Sequence, residues 1–330
     1  MITILSLKAP SGKATDAVDT VNQNIFSRID KSEVGFLESA GFLKKVRLLR
    51  KLKPEYILGI GNIDEILYLP FKPRKTKYII GWHTLLKKTK TWLIRKTLFN
   101  ASDFVIAVSE CSADSVRKNF PFKNIVSVLN GVDLDFFNPE KADKSYLSEK
   151  YDIDFSLPTV LFVGAIYEGK RPDVFVEVSK KFKEANFILI GRKIKKDFHI
   201  QTEDLDNLKW IPYMDREDIA TMMASSDIFL FPSVIDACPA VVPEALASGL
   251  PALLSDRCGN KELIEDGREG FLIEPKEGEI GEFVAHLKDL LTDSPDMLER
   301  MSGQARKRCL EELNWKAVSN KYKEIITSNL

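Results

Sequence analysis

The stretch FPSVIDACPAVVPEALASGLPALLSD, residues 231–256, runs from the end of one strand through a loop and a helix into the next strand. Ile228–Phe231 is an apolar run of strand size that stops at Pro232-Ser233. Ala240–Ser248 reads as a helix, and Gly249 is placed to take the left-handed conformation that ends it. Pro251–Leu254 is apolar again. Strand, helix and strand at this spacing form a parallel β-α-β unit. In such a sheet, ligands sit at the loop that leaves a strand's carboxyl end. This loop carries Asp236, Cys238 and Pro239, with Glu244 one turn into the helix.

The same rhythm extends in both directions. Further strands are expected at Ile2–Leu7, Tyr56–Ile60, Tyr78–Ile80, Phe104–Val108, Ile125–Val128, Val160–Val163, Phe187–Ile190 and Gly270–Ile273. Helical patterns lie between several of them, among them Phe42–Leu52 and Asp173–Phe182. The alternation breaks once, at 130–158, where turn residues and charges replace strand patterning. Two Rossmann-like α/β domains follow: residues 1–140, a linker at 141–158, and residues 159–308, with a helical terminal stretch at 309–330 that carries Trp315.

The chain has 330 residues, 44% apolar and 29% charged, which describes an ordinary globular protein. Its longest apolar runs are strand-sized, far below the ~20 residues that cross a bilayer. The start, MITILSLKAP, lacks a basic region before its apolar stretch and reads as a first strand, so a cytoplasmic location is expected. Four cysteines and three histidines are scattered without metal-ligand or redox spacing. Asp-x-Asp occurs at 133–135, 152–154 and 204–206, never directly after a strand, so no metal site is expected. The formal net charge is zero, yet residues 1–140 hold 22 Lys+Arg against 14 Asp+Glu. Residues 41–98 are the extreme, with 15 basic and 3 acidic residues. That stretch is expected to meet an anionic membrane surface or an anionic acceptor. The competing reading is an amphipathic helix with a solvated outer face. Nucleic acid is not expected, because no recognition motif accompanies the charge.

Several residues then carry candidate chemistry. The backbone amides of Ala240, Val241 and Val242, at the start of the helix, suit a phosphate. Glu244 can accept hydrogen bonds from a vicinal diol, as an acidic residue does for ribose in dinucleotide folds. Against this, Asp236 can be a solvated loop acid and Glu244 a simple complement to the helix dipole. The segment GKR, 169–171, offers Lys170 and Arg171 after a strand, or a solvated turn. His83, in YIIGWHTLL, follows a strand directly and can equally be a packing residue beside Trp82. ILGIGNID, 57–64, lacks the third glycine of a dinucleotide fingerprint.

The stretch at 231–256 resembles the C-terminal signature of the group-1 (family 4) retaining glycosyltransferases of GT-B fold: Pro232-Ser233, Asp236, Glu244-Ala245, Ala247, Gly249 and Pro251 stand in register. The family usually has Glu at the place of Asp236 and an arginine at that of Ala165. LFVGAIYEGKRPDVFVEV, 161–178, resembles the segment that grips the donor diphosphate, with Gly164 in its turn and Lys170 as the phosphate lysine. LIGRK, 189–193, with Arg192, and WIPYMDREDIATMMASSDIFLFPS, 210–233, with Tyr213, resemble the parts that line the nucleotide. VIAVSECSADSV, 105–116, and NGVD, 130–133, resemble the end of the N-terminal half. Ser11-Gly12 stands where the family has a Gly-rich turn.

The resemblance implies two Rossmann-like domains with parallel sheets facing across a cleft, and a C-terminal helix crossing back to the N-terminal domain. It implies transfer of a sugar from a nucleotide-diphosphate sugar to a glycan or lipid-linked acceptor, with retention and without a metal or cofactor. Asp236, His83 and Lys170 would be catalytic. Glu244, Arg171, Gly164, Gly12, Arg192, Tyr213 and residues Pro239 to Val242 would hold the donor. Two rivals share the fold, a non-catalytic protein binding sugar nucleotides or membrane and a GT-B epimerase.

Overall fold

Apolar strands at near-regular spacing do form two parallel sheets. The computed structural model describes residues 4–6, 21, 24, 25, 28, 34–36, 42–59, 63–87, 89–121, 123–194, 198–202 and 205–328. The chain divides into two compact units, Met1–Asn130 with Trp315–Leu330, and Gly131–Asn314.

The first unit holds β1 (Ile4–Ser6), β2 (Val34–Phe36), β3 (Tyr56–Gly59), β4 (Lys77–Trp82), β5 (Phe104–Ala107) and β6 (Ile125–Ser127), in the order β2-β1-β3-β4-β5-β6. Every pairing is parallel. Its labelled helices, in chain order, are α1 (Phe42–Leu52), α2 (Trp92–Ala101) and α3 (Glu110–Arg117). The second unit holds α4 (Lys144–Tyr151), β7 (Thr159–Val163), α5 (Pro172–Lys181), β8 (Asn186–Ile190), β9 (Leu208–Ile211), α6 (Arg216–Ser225), β10 (Ile228–Phe231), α7 (Val241–Ala247), β11 (Ala252–Ser255), β12 (Gly270–Ile273), α8 (Glu279–Lys288) and α9 (Pro295–Arg308). The last helix, α10 (Trp315–Ser328), returns to the first unit.

The sheet of the first unit shows why both faces of its strands are apolar. Ile57, Tyr78, Ile80, Trp82, Val105 and Ala107 face one way and pack with Leu49, Leu98, Phe99 and Val116 of α1, α2 and α3. Tyr56, Leu58, Ile79, Phe104 and Ile106 face the other way. There they meet Val21 and Ile25 and the apolar stripe Trp315, Val318, Tyr322 and Ile326 of α10. The two-residue period of a strand assigns alternate side chains to the two helical layers.

In the second unit the order is β12-β11-β10-β7-β8-β9, again parallel throughout. The chain builds outward from β7 through β8 to β9, then returns to lay β10 on the other side of β7. That reversal opens a crevice at the carboxyl ends of β7 and β10.

Two strands escaped the apolar patterning, β2 and β9, and each is one of the two edge strands of its sheet, while the opposite edges β6 and β12 were expected. An edge strand is covered less fully, and LKWI of β9 carries a lysine and buries only Ile211. The stretch expected as a linker, 141–158, holds α4, and the division between the units falls at Asn130 and Gly131. Asp143 caps α4 by accepting from the Tyr146 amide at 2.9 Å. Buried Asp218 of α6 then accepts from Tyr146, Tyr151 and Lys150, which fastens this segment to the second unit.

Candidate active site

The reversal of strand order places the loops after β7 and β10 side by side. Lys170 closes the first loop and Asp236 lies in the second. The Lys170 ammonium donates to both carboxylate oxygens of Asp236 at 2.6 Å. It also stands over the Phe231 ring, 5.1 Å from its centroid. The Ser233 hydroxyl donates to Asp236 Oδ2 at 2.5 Å. The Val234 amide donates to the Gly169 carbonyl at 3.1 Å, which zips the loops together. A Cβ at Gly169 would lie 2.2 Å from Ile235 Cδ1, so the exposed Ile235 side chain would have to move aside. Burial and the Asp236 charge raise the Tyr167 phenol above its ordinary value.

The carboxyl-end loop of β11 supports this pair from behind. The Gly259 amide donates to the Asp236 carbonyl at 2.9 Å. Buried Asn260 donates through Nδ2 to the Ser233 carbonyl at 2.9 Å, and Ser255 donates to the same oxygen. A Cβ on Gly259 would lie 1.9 Å from the Ala237 carbonyl.

Beyond the loop, α7 begins. Of the three amides expected to face a phosphate, that of Val242 is already spent on the Pro239 carbonyl at 3.3 Å. That leaves Ala240 and Val241, since Pro243 has no amide hydrogen. The helix stops as its sequence requires: Gly249 takes φ +77°, while the Gly249 and Leu250 amides return to Leu246 and Ala245 at 3.0 Å. Glu244 sits in the first turn with its side chain 19% exposed. Burial pushes its carboxyl up to about 7, opposed by the Arg216 guanidinium 3.7 Å away. Arg216 itself rests 4.9 Å from the Phe136 ring centroid. Nothing in the sequence singled out Arg216, because its partner lies on a different helix.

The ends of β8 and β9 extend the site. Gly191 takes φ +155°, and a Cβ there would lie 1.7 Å from the Gly164 carbonyl oxygen. The indole of Trp210 fastens this turn by donating to the Gly191 carbonyl at 3.0 Å. Arg192 stacks over Tyr213 with 4.5 Å to the ring centroid, and Tyr213 is 61% exposed. The two form an open, flat, cationic platform.

Arg171 departs from its expected place. It adopts the left-handed conformation at φ 53° and forms a two-pronged ion pair with Glu279 at the start of α8, one arm at 2.8 Å. That partnership holds its guanidinium above its ordinary range. His83 lies in the other unit, directly after β4 and half-buried. Gly12 and Asp204 lie outside the described residues. Among the described residues no group of three or more His, Cys, Asp or Glu is arranged to hold a metal ion.

Three comparisons place this geometry among known proteins. A family model described as glycosyl transferases group 1 matches residues 143–308, and one described as Glycosyltransferase Family 4 matches residues 22–136. An alpha-maltose-1-phosphate synthase of Mycolicibacterium smegmatis is 26% identical over 275 residues, covering 78% of this chain and 70% of that protein. A UDP-Gal:alpha-D-GlcNAc-diphosphoundecaprenol alpha-1,3-galactosyltransferase of Escherichia coli is 27% identical over 260 residues. That match covers 74% of this chain and 62% of the galactosyltransferase, less than two thirds of its length. Among solved structures, Anabaena Alr3699/HepE in complex with UDP-glucose has the same fold, with a TM-score of 0.72 at 16% identity. The alignment covers 99% of this chain and 100% of that one.

Proposed function

The chain belongs to the group 1 glycosyl transferases, and on that premise we propose that it moves a sugar from a nucleoside-diphosphate donor to an acceptor hydroxyl with retention at the anomeric carbon. The observation that carries this reading is the Lys170–Asp236 pair between the loops after β7 and β10, with Glu244 in the first turn of the helix that follows the β10 loop. Breaking the glycosidic bond puts negative charge on the departing diphosphate. A fixed ammonium in a partly dry crevice stabilises that charge. Ionised Glu244 would accept hydrogen bonds from the ribose diol, and the Arg192–Tyr213 platform would stack on the base. Retention follows from attack on the face the leaving group vacates, with the departing phosphate oxygen taking the acceptor proton. The donor is a co-substrate, and the proposal includes no resident metal or cofactor. His83 is the candidate from the other unit for contact with the donor sugar. Uridine diphosphate sugars are the donors to try first, because the Anabaena neighbour holds UDP-glucose and the Escherichia coli relative is named for UDP-Gal.

For the acceptor we propose a lipid-linked or anionic glycan met at the inner face of the cell membrane. The supporting feature is the helical layer formed by α1, residues 63–71 and α2 on one face of the first sheet. Lys44, Arg47 and Lys51 of α1 and Lys96 of α2 are exposed there, and Lys87 and Lys90 just before α2, against one exposed acid, Glu55, among the described side chains of 42–101. Leu43 and Leu93 are each 77% exposed between these cations. Each basic residue near an anionic bilayer adds about 1 kcal/mol. No helix among the described residues is long and apolar enough to span a membrane, so the contact would be peripheral.

Donor hydrolysis without acceptor tests the catalytic reading. The enzyme should slowly release UDP from a UDP-sugar panel, and Lys170→Ala or Glu244→Ala should abolish it. Unchanged release in both variants would overturn the assignment, and a chain that binds donor without any turnover would be a binding protein.

A further inference from the structure

Asp236 already accepts from two side chains of the β7 and β10 loops. Lys170 reaches both carboxylate oxygens at 2.6 Å and the Ser233 hydroxyl adds a third donor at 2.5 Å. The side chains of Lys170 and Asp236 are only 15% and 19% exposed. The carboxylate is also anchored through its own backbone, since the Gly259 amide holds the Asp236 carbonyl. Ser233 is fixed in turn, because Asn260 and Ser255 grip its carbonyl. The acid is therefore held at its root and at its tip by the β10 and β11 loops, with its short side chain pointed at one cation.

We propose that Asp236 is a positioning residue that aims Lys170 at the donor diphosphate, and that it does not itself bind the donor sugar. The proposal rests on the reading of Lys170 as the diphosphate lysine. A lysine carries its charge on a flexible four-carbon stem, so an unguided ammonium loses much of its effect to side-chain entropy. Two of its three N–H donors point at Asp236, and the Phe231 ring limits the swing of the stem. The third donor remains for a phosphate oxygen. Ser233, Ser255 and Asn260 then act on the donor through Asp236 and Lys170.

Calorimetric titration of the full chain with UDP and with UDP-glucose separates the two roles. If Asp236 aims Lys170, Asp236→Asn weakens UDP and UDP-glucose by the same factor, about tenfold, and adds nothing to Lys170→Ala in the double variant. Ser233→Ala moves both ligands in the same direction by a smaller factor. If Asp236 holds the sugar, Asp236→Asn leaves UDP affinity intact, weakens UDP-glucose alone and adds to Lys170→Ala, which overturns the proposal. A second arm needs no donor. Lys170 in the folded protein should react slowly with an amine-labelling reagent, read by peptide mass spectrometry, and Asp236→Asn should speed that labelling several-fold. Labelling at the same rate in both proteins overturns the proposal. Absence of UDP binding in the wild type, with labelling still released by Asp236→Asn, would instead fault the donor reading and uphold the pair.

Discussion

The two sheets are built alike, yet they present charge in opposite ways. In the second unit the charged groups around the β7/β10 crevice are paired before any ligand arrives: Lys170 with Asp236, Arg171 with Glu279, and Arg216 near Glu244. In the first unit α1, α2 and the segment just before α2 carry exposed cations with no exposed acid among their described side chains. Half-buried charges must be compensated locally, because removing one partner strands the other in a poor solvent. Their arrangement specifies small geometry, suited to one diphosphate and one ribose. Exposed cations are cheap, weak one by one and additive over an area, which suits an extended anionic surface. The same fold thus separates precision from adhesion.

The sharpest break in the comparison comes from Lys170→Ala. It should lower turnover by about 10²–10³, the scale of losing one group that stabilises leaving-group charge, as read from single-turnover rates. Rates within a fewfold of wild type would place the diphosphate elsewhere. Gly191→Ala tests how tightly the second unit is built. With φ +155° and a carbonyl oxygen at 1.7 Å from the new Cβ, it should cost about 3 kcal/mol, seen as a fall in Tm by thermal unfolding. A neutral result would mean that the turn carrying Arg192 can relax. The other side of the comparison is probed by reversing Lys44, Arg47 and Lys96 to Glu together. Partition onto acidic vesicles should weaken at least a hundredfold at about 1 kcal/mol per residue. UDP affinity should not change. Equal binding to neutral and acidic vesicles by the wild type would remove the electrostatic account.

A smaller effect follows from Glu244. In the free protein its carboxyl keeps a proton to about pH 7, whereas the unfolded chain releases it near the ordinary carboxylate value. The folded state therefore holds more protons between those points, and its stability falls as pH rises through that window. Ribose binding needs the ionised form, so nucleotide affinity should tighten about tenfold from pH 6 to pH 8. Glu244→Gln should weaken binding and flatten both profiles. A wild type whose affinity is flat across this range would mean that Glu244 is ionised without its ligand.

Much of this was legible in the sequence, but unevenly. Interior strands such as Ile228–Phe231 are apolar on both faces and announce themselves, as do the edges β6 and β12, while the lysine-bearing edge β9 does not. The loops after β7 and β10 carried their chemistry in local order, so Lys170, Asp236 and Glu244 could be named. Their mutual geometry could not. Lys170 and Asp236 stand 66 positions apart and Arg171 and Glu279 stand 108 apart, so only the parallel sheet shows which charges meet. That is why the pairing of Arg171 with Glu279 was not legible in the sequence. Val242 likewise looked like a free amide, because helix starts are read as open until the preceding carbonyl is seen. The charge of the first unit was plain from composition, whereas the placing of Lys44, Arg47 and Lys96 on helices of one face required the fold.

The account stands most directly on where the nucleoside diphosphate binds. Full-length protein should be titrated calorimetrically with UDP, GDP, ADP and dTDP, alongside Lys170→Ala and the triple variant of the basic layer. The prediction is that at least one nucleotide binds the wild type, loses most of its affinity in Lys170→Ala and binds the triple variant unchanged. Wild-type affinity in Lys170→Ala, or affinity lost in the triple variant, would contradict it.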